Sequence, residues 1–262
     1  MSDPDLLLRA RNLGLYGLVT HWSELRTHDF VEKLIEIEEQ ERKRRSLERR
    51  LRRSKIGAFK PMADFDWGWP SRIDRPQVED ALALDFVADK ANVILVGPNG
   101  VGKTTIARSI AHEALRAGMT VLSVKASELV ADLAMQDTST ALQRRLRRYV
   151  NPAILVIDEL GYLSHDDRQG DLLFEVVSRR HEKAPIVLTT NKPFAEWNEV
   201  FPNSSCVTAL VDRLVHRAEI IVIEGDSYRA KEASERAQRQ AATRKGSGKR
   251  KAGRKPKTEA GE

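Results

Sequence analysis

The sequence contains one cysteine, Cys206, and no apolar run that approaches the ~20 residues of a membrane-spanning helix. A single cysteine excludes an intrachain disulfide and a cysteine-based zinc site, and it is typical of a reducing compartment. The stretch Met1–Ala10 has early acidic residues and no signal-peptide pattern. We therefore expect a cytoplasmic protein that does not associate with a membrane.

Charge is distributed unevenly along the chain. Charged residues make up 31% and hydrophobic residues 41% of the 262 residues, which is typical of a globular core with charged appendages. The net charge is +6, and residues 241–262, with eight basic and two acidic residues, carry all of it. We predict that residues 231–262 form a disordered basic tail, for which attraction to nucleic-acid phosphates and a purely solubilising role both remain open.

The segment Gly97–Thr104 reads Gly-Pro-Asn-Gly-Val-Gly-Lys-Thr and fits the phosphate-loop pattern G-x-x-x-x-G-K-[ST]. An apolar run, Asn92–Val96, precedes it, and a helix-forming run, Thr105–Ala117, follows it. A strand, a glycine-rich loop and a helix N-terminus together direct backbone N–H groups and the helix dipole at phosphates. Lys103 is expected to reach the β- and γ-phosphates of ATP. The predicted loop contacts are Gly97, Pro98, Asn99, Gly100, Val101, Gly102, Lys103, Thr104 and Thr105.

A second apolar run, Ala153–Ile157, ends in the acidic pair Asp158 and Glu159. Continuous apolar runs are typical of strands that are buried on both faces of a parallel sheet, and ligands of such sheets bind beyond the carboxyl ends of the strands. Asp158 is therefore predicted to hold Mg²⁺ together with Thr104, and Glu159 to polarise an attacking water. A glutamate at this position favours hydrolysis of ATP over simple retention of the nucleotide.

Strand and helix patterns alternate from Gln77 onward. This alternation predicts an α/β fold of the P-loop NTPase class, with a doubly wound parallel five-stranded sheet. Asn191 follows the fourth predicted strand and is expected near the γ-phosphate, where it could orient the water. The predicted strands span 92–96, 120–124, 153–157, 186–190 and 219–223, and the predicted helices span 77–88, 103–117, 127–149, 170–182 and 209–214.

Residues 1–59 are predicted to form a small all-helical N-terminal domain. Two or three short helices, interrupted at Gly14 and Gly17, precede a long charged helix from Phe30 to Ile56. The second half of this helix is basic. It could form a face that contacts DNA or a face that contacts only solvent, and both interpretations remain open. The DNA-contact candidates on it are Arg44, Arg45, Arg49, Arg50, Arg52 and Arg53, and Arg144 and Arg145 form a second candidate patch.

Residues 60–76 are predicted to be a linker, since they contain three prolines and an aromatic cluster of Phe65, Trp67 and Trp69. The rings could stack on a base, but docking of the linker onto the main domain is the favoured interpretation. The main domain is expected to span residues 77–230.

The chain resembles the IstB-like ATPases, the AAA+ helper proteins of insertion-sequence transposition. The resemblance covers roughly residues 10–230, and bacterial helicase loaders share its later motifs. The phosphate loop reads Pro-Asn-Gly-Val and ends in Lys-Thr-Thr, whereas members of the family more often carry Pro-Pro-Gly-Thr or Pro-Pro-Gly-Val and Lys-Thr-His. It keeps the residues that act on phosphate. The motifs that carry the resemblance are the phosphate loop, 156–162 (Val-Ile-Asp-Glu-Leu-Gly-Tyr), 189–197 (Thr-Thr-Asn-Lys-Pro-Phe-Ala-Glu-Trp), 212–214 (Asp-Arg-Leu), 225–229 (Gly-Asp-Ser-Tyr-Arg), 13–18 and 64–66.

The resemblance implies an AAA+ ATPase that assembles on double-stranded DNA and directs the transposase of the same element to a target. It implies that Asn191 senses the γ-phosphate and that Arg229 contacts nucleotide in its own subunit. It further implies that Arg213 is an arginine finger for the adjacent subunit, so that ATP bridges the interfaces of a homo-oligomer.

Three alternatives stay open at this stage. A helicase-loader ATPase of DNA replication would share the ATPase core but would bind a replicative helicase. A small-molecule P-loop kinase would need an acceptor pocket and would have no use for Arg213, the basic helix or the tail. A nucleotide-gated scaffold with negligible turnover would not need Glu159.

Overall fold

The computed structural model describes residues 3–162, 167–197 and 206–238. Six strands within these ranges form one sheet in the order β1-β6-β2-β5-β4-β3. All neighbouring strands pair in parallel except β1, which runs antiparallel to β6. The strands are β1 (Arg72–Ile73), β2 (Asn92–Val96), β3 (Val121–Lys125), β4 (Ile154–Asp158), β5 (Ile186–Thr190) and β6 (Ala218–Glu224).

Helices precede the sheet and connect its strands. Short 3-10 turns lie at Met62–Asp64, Asp85–Val87, Leu160–Tyr162 and Phe194–Glu196. The α-helices are α1 (Asp3–Asn12), α2 (Tyr16–Thr20), α3 (Trp22–Leu25), α4 (Phe30–Ser54), α5 (Arg75–Ala83), α6 (Lys103–Arg116), α7 (Ala126–Ala134), α8 (Ser139–Val150), α9 (Asp167–Arg180), α10 (Val207–Val215) and α11 (228–238).

The sheet is buried on both faces because helices cover each of them. Alternate residues of β4 point to opposite sides: Leu155 and Ile157 join a core that includes side chains of α7, α9 and α10, whereas Ile154 and Val156 join a core with α5 and α6. This arrangement explains why the run that forms β4 is continuously apolar rather than alternating.

The strand order places three functional segments side by side. β5 pairs with β2, which leads into the phosphate loop, and also with β4, which ends at Asp158. Since these strands are parallel, their carboxyl ends lie at one edge of the sheet. Asn191, the residue after β5, therefore lies between the phosphate loop and the acidic pair.

The α/β fold and its five parallel strands are confirmed, with shifts of at most one residue at the strand ends. The sixth strand, β1, was not predicted, because two residues in a proline-rich linker are too short for a periodic signal. β1 pairs with the end of β6, matching Arg72 with Glu224 and Ile73 with Ile223. This pairing attaches the linker to the edge of the sheet.

Some predicted helices differ from the observed ones. The predicted helix 127–149 is two helices, α7 and α8, because Thr138 accepts a hydrogen bond from the Ala141 N–H (3.1 Å) and so caps α8. Gly17 lies inside α2 rather than between helices, whereas Gly14 has a φ of 63° in the turn after α1. α11 extends to residue 238, into the segment predicted to be disordered, and residues 239–262 lie outside the described residues.

Helix α4 links the N-terminal helices to the main domain. Its first half contributes Val31 and Ile35 to a small core with α1. Its second half places Leu47 and Leu51 against the core on the α5 and α6 side of the sheet. The predicted N-terminal domain 1–59 is therefore joined to the main domain by one continuous helix. Among the described residues, no helix is both long and apolar enough to cross a membrane.

Arg180 is a buried cation that organises the loops entering β4 and β5. It is 1% exposed, and this burial lowers its pKa to about 10. The guanidinium donates to the carbonyl oxygens of Tyr149 (3.1 Å), Val150 (2.8 Å), Pro152 (2.9 Å), Ala153 (3.3 Å) and Pro185 (2.7 Å).

We expect Arg180→Met to lower the free energy of unfolding by about 3 kcal/mol, because buried carbonyl groups would lose their donors. Urea denaturation measures this loss. Arg179→Met is the matched control, since the neighbouring Arg179 makes a partly exposed ion pair with Glu175 and should cost less than about 1 kcal/mol. Equal losses in the two variants would contradict a structural role specific to Arg180.

Candidate active site

The phosphate loop follows a backbone path that depends on glycine. Gly100 (φ 86°) and Gly102 (φ 102°) both have left-handed conformations that side chains disfavour. A Cβ atom on Gly100 would lie 2.2 Å from the Ser227 hydroxyl oxygen, and one on Gly102 would lie 2.6 Å from the Phe65 ring. The loop is therefore enclosed by the linker on one side and by the Gly225–Arg229 motif on another.

Lys103 begins α6 and is 9% exposed. Its Nζ atom donates to the carbonyl oxygens of Gly97 (2.6 Å) and Pro98 (2.7 Å), which hold the ammonium group over the loop. The pKa of Lys103 is lowered to about 8, mainly by burial and also by the Arg229 charge, while Asp158 and Glu159 oppose the shift. The ammonium group is thus poorly solvated and suited to pair with phosphate oxygens.

The predicted magnesium ligands touch each other. The Thr104 hydroxyl donates to Asp158 Oδ1 at 3.0 Å, although the two residues lie on different elements, α6 and β4. Asp158 is buried, with 6% of its surface exposed. Hydroxyl and carboxylate oxygens are the ligands that Mg²⁺ prefers, so this donor set fits the ion, and Thr104 and Asp158 would hold it.

Glu159 comes directly after β4 with a left-handed backbone, φ 61°. Its N–H donates to the Thr189 hydroxyl (2.9 Å), and its carboxylate forms an ion pair with Lys125 (Nζ to Oε2, 2.7 Å). Lys125 is the last residue of β3. The side-chain hydrogen bond from its ammonium group to the Glu159 carboxylate is the main cause of its raised pKa. Lys125 was not predicted as a site residue; a basic residue at the end of a predicted strand was the available signal.

Asn191 lines the same cavity as the acidic pair. Its Oδ1 atom is buried and accepts no hydrogen bond from the part of the chain that the structure describes. Gly161 leaves room for this oxygen, because a Cβ atom there would lie 1.8 Å from it. A buried acceptor without a partner is uncommon in folded proteins, so a functional role would explain this side chain.

The loop after Asn191 is held by two residues that the sequence analysis did not assign. Thr190 uses its hydroxyl to accept from the Lys192 N–H (3.1 Å) and to donate to the Lys192 carbonyl (3.0 Å). The buried Trp197 indole donates to the same carbonyl at 3.3 Å. These contacts fix the peptide next to Asn191 and explain why the motif extends to a tryptophan.

The cavity has a volume of about 400 Å³ and extends from the phosphate loop to an aromatic end. Phe65 and Trp69 of the linker and Tyr228 of α11 line this end, and the Trp69 and Tyr228 rings meet edge to face at 6.0 Å. The Tyr228 N–H donates to the Gly100 carbonyl at 3.0 Å, which fastens α11 to the loop. The predicted docking of the linker aromatics onto the main domain is confirmed.

The profile of the family described as IstB-like ATP binding protein matches residues 10–236. The chain belongs to this family. It is 38% identical over 204 residues to the protein named for ATP binding in insertion sequence IS5376 of Geobacillus stearothermophilus, covering 78% of this chain and 81% of that protein. It is 37% identical over 209 residues to the corresponding IS21 protein of Pseudomonas aeruginosa, covering 80% and 79%.

Solved structures resemble this IstB-like protein in fold. The crystal structure of DnaI superimposes with a TM-score of 0.53 at 22% identity and covers 66% of this chain and 90% of that one. AMPPCP-bound DnaA from Aquifex aeolicus superimposes with a TM-score of 0.55 at 20% identity, covering 71% and 56%. At these identities the likeness establishes the shared P-loop AAA+ fold.

The two predicted arginines of the IstB-like protein lie in different places. Arg229 lines the cavity, and its charge contributes to the lowered pKa of Lys103. Arg213, on α10, is not among the residues that line the cavity in the described ranges. Its guanidinium lies 4.6 Å from the centroid of the Phe174 ring and donates to the Ala209 carbonyl at 3.2 Å.

Two of the predicted DNA contacts have partners within the protein. Arg50 donates to the Leu115 carbonyl (3.2 and 3.0 Å) in the last turn of α6, where a cation interacts favourably with the helix C-terminus. Arg145 pairs with Asp132, which links α8 to α7. Both residues therefore contribute to packing within the protein, and their contacts with DNA stay predictions. Of the other candidates, Arg44 and Arg45 pair with Glu41 on the helix surface, and Arg49, Arg52, Arg53 and Arg144 are exposed.

The buried ammonium group of Lys103 predicts a pH-dependent affinity for ATP. Phosphate binding favours the charged form, so affinity should be highest below pH 8 and fall as Lys103 deprotonates. We expect a loss of roughly five- to tenfold between about pH 7.5 and pH 9, measured by fluorescence titration with a labelled ATP. Lys103→Arg keeps its charge over this range and should lose the dependence, and a flat wild-type profile would contradict the lowered pKa.

Proposed function

We propose that this protein is a Mg²⁺-dependent and DNA-dependent ATPase that assembles on double-stranded DNA and helps the transposase of its own insertion sequence to select a target. One observation carries the hydrolytic part: Thr104 contacts Asp158 beside Glu159 and Asn191, at the end of a cavity that begins at the phosphate loop. The relatives named for insertion sequences supply the transposition context.

In the proposed reaction, the loop N–H groups and Lys103 bind the phosphates of ATP, and the aromatic end of the cavity receives the nucleoside. Mg²⁺ bound by Thr104 and Asp158 would neutralise phosphate charge. Glu159 accepts a proton from the attacking water, and Asn191 senses the γ-phosphate and orients that water. Arg213 of an adjacent subunit stabilises the charge on the transferred phosphoryl group, which makes hydrolysis depend on assembly.

The exposed arginines at the end of α4 support DNA binding. Arg49, Arg52 and Arg53 are exposed and pair with no carboxylate in the described ranges, in contrast to Arg44 and Arg45. α4 packs against the ATPase core through Leu47 and Leu51, so a DNA contact on its last turns is close in structure to the loop-bearing helix α6. Basic groups in this position would lose affinity for DNA as salt rises.

The test measures ATP hydrolysis with and without duplex DNA at two salt concentrations, while light scattering follows assembly. We expect turnover that DNA stimulates, stimulation that weakens with salt, and assembly that depends on ATP. The combined variant Arg49→Gln, Arg52→Gln, Arg53→Gln should lose most of the stimulation. The matched control, Arg72→Gln with Arg75→Gln, removes two exposed arginines that pair with Glu224 and Glu79 and should keep it.

Turnover by a monomer that ignores DNA would overturn the proposal and favour a metabolic P-loop enzyme. If DNA stimulates hydrolysis, a pull-down with the transposase of the element against a replicative helicase separates the transposition role from the helicase-loader alternative. Retention of the helicase alone would assign the protein to replication.

A further inference from the structure

We infer that Thr189 is a positioning residue that holds both acidic groups of the site, Asp158 for the metal and Glu159 for the water. The inference rests on the proposed function, because it concerns the same hydrolytic site. Neither the phosphate-loop pattern nor the acidic motif includes this residue. Its hydroxyl group touches each member of the pair.

The hydroxyl of Thr189 uses both of its hydrogen-bonding capacities. It donates to Asp158 Oδ1, and it accepts from the Glu159 N–H at 2.9 Å. Thr104 donates to the same Asp158 oxygen at 3.0 Å, so two hydroxyl groups from different elements converge on one carboxylate oxygen. This carboxylate is therefore fixed from β5 as well as from α6.

The backbone of Glu159 explains why the second contact matters. The Glu159 N–H donates to a side chain rather than to a strand carbonyl, and the φ of 61° turns the chain away from β4 directly after the strand ends. A left-handed conformation costs free energy for a residue with a side chain, and a partly buried N–H needs an acceptor. The Thr189 hydroxyl supplies that acceptor, so it stabilises the turn that sets the direction of the Glu159 side chain.

The location of Thr189 makes it a rigid support. It is 1% exposed on the central strand β5, which pairs with β4 on one side and β2 on the other. Thr189 also pairs with Leu95, two residues before the phosphate loop. A polar side chain in such a strand costs free energy unless it is hydrogen-bonded, and both of its bonds go to the acidic pair.

Thr189→Val tests the role, because valine matches threonine in shape but lacks the hydroxyl. Affinity for a fluorescent, non-hydrolysable ATP analogue should stay within about twofold in EDTA, whereas the Mg²⁺ concentration for half-maximal binding should rise at least about tenfold. With ATP, kcat should fall at least about tenfold with little change in KM. Thr189→Ser restores the hydroxyl and should recover most of both losses.

Ser54→Ala is the matched control, since Ser54 is also buried and its hydroxyl makes two hydrogen bonds away from the site, to the Leu51 carbonyl and from the Ile56 N–H. It should leave the Mg²⁺ half-saturation unchanged. A Thr189→Val protein with wild-type Mg²⁺ dependence and kcat would overturn the inference, as would a Thr189→Ser protein as defective as Thr189→Val. If the valine variant does not fold, as judged by circular dichroism, Thr189→Cys carries the same comparison with a weaker hydrogen-bonding group.

The binding readout separates this inference from the proposed function. A wild-type protein that binds the Mg²⁺–nucleotide complex but never hydrolyses ATP, with or without DNA, would refute the proposed ATPase. The Mg²⁺ half-saturation of the Thr189 variants would still decide whether this residue positions the metal carboxylate.

Discussion

Glu159→Gln should lower kcat for ATP by about three orders of magnitude while nucleotide affinity stays within about threefold. The amide cannot accept a proton from water, but the loop, Lys103 and the Thr104–Asp158 pair remain in place. Phosphate release in a single turnover measures the rate, and a labelled nucleotide measures affinity. A variant that binds ATP tightly and does not hydrolyse it should also accumulate in the assembled state.

Glu128→Gln is the control for this prediction. Glu128 is exposed on α7 and lies near Lys125, whose pKa it helps to raise, so its loss removes a nearby charge without removing the proposed base. Its kcat should stay within about twofold of the wild type, as is usual for surface substitutions. A Glu159→Gln protein with more than a tenth of the wild-type rate would show that another group activates the water.

The parts of the site that the sequence predicts are those encoded locally. The phosphate loop is one continuous motif, and Asp158 and Glu159 follow a buried strand directly, so the strand end fixes their place at the carboxyl edge of the sheet. Asn191 could be placed for the same reason. Parallel strands buried on both faces are also the easiest strands to recognise, because their apolar runs are unbroken.

The parts that the sequence does not predict depend on which strands become neighbours. Lys125 and Thr189 reach the acidic pair only because β4 lies between β3 and β5, and no spacing in the sequence specifies that order. Arg50 is a related case: it lies in a basic run, and its contact with the Leu115 carbonyl group depends on the packing of α4 on α6, which the sequence does not predict. A run of basic residues in the sequence indicates a charged surface. The packing of the helix that carries them decides which of these residues remain exposed on that surface.

The position of Arg213 leads to the second prediction, that it acts on the neighbouring subunit. Its side chain is half-buried against Phe174, and it does not line its own cavity within the described ranges. Arg213→Ala should lower kcat by about three orders of magnitude without weakening ATP binding, the effect of removing an arginine finger. Arg229→Ala removes an arginine that does line the cavity and should instead weaken nucleotide affinity.

Mixing two inactive proteins decides whether Arg213 acts in trans. A subunit with Arg213→Ala keeps Glu159, and a neighbour with Glu159→Gln keeps Arg213, so one composite site in the mixed oligomer contains both groups. Random assembly of equal amounts should recover about a quarter of the wild-type rate, because one arrangement in four at each head-to-tail interface is complete. The double variant mixed with either single variant forms no complete site and should stay inactive. A mixture that co-assembles without recovering activity would place the action of Arg213 within its own subunit.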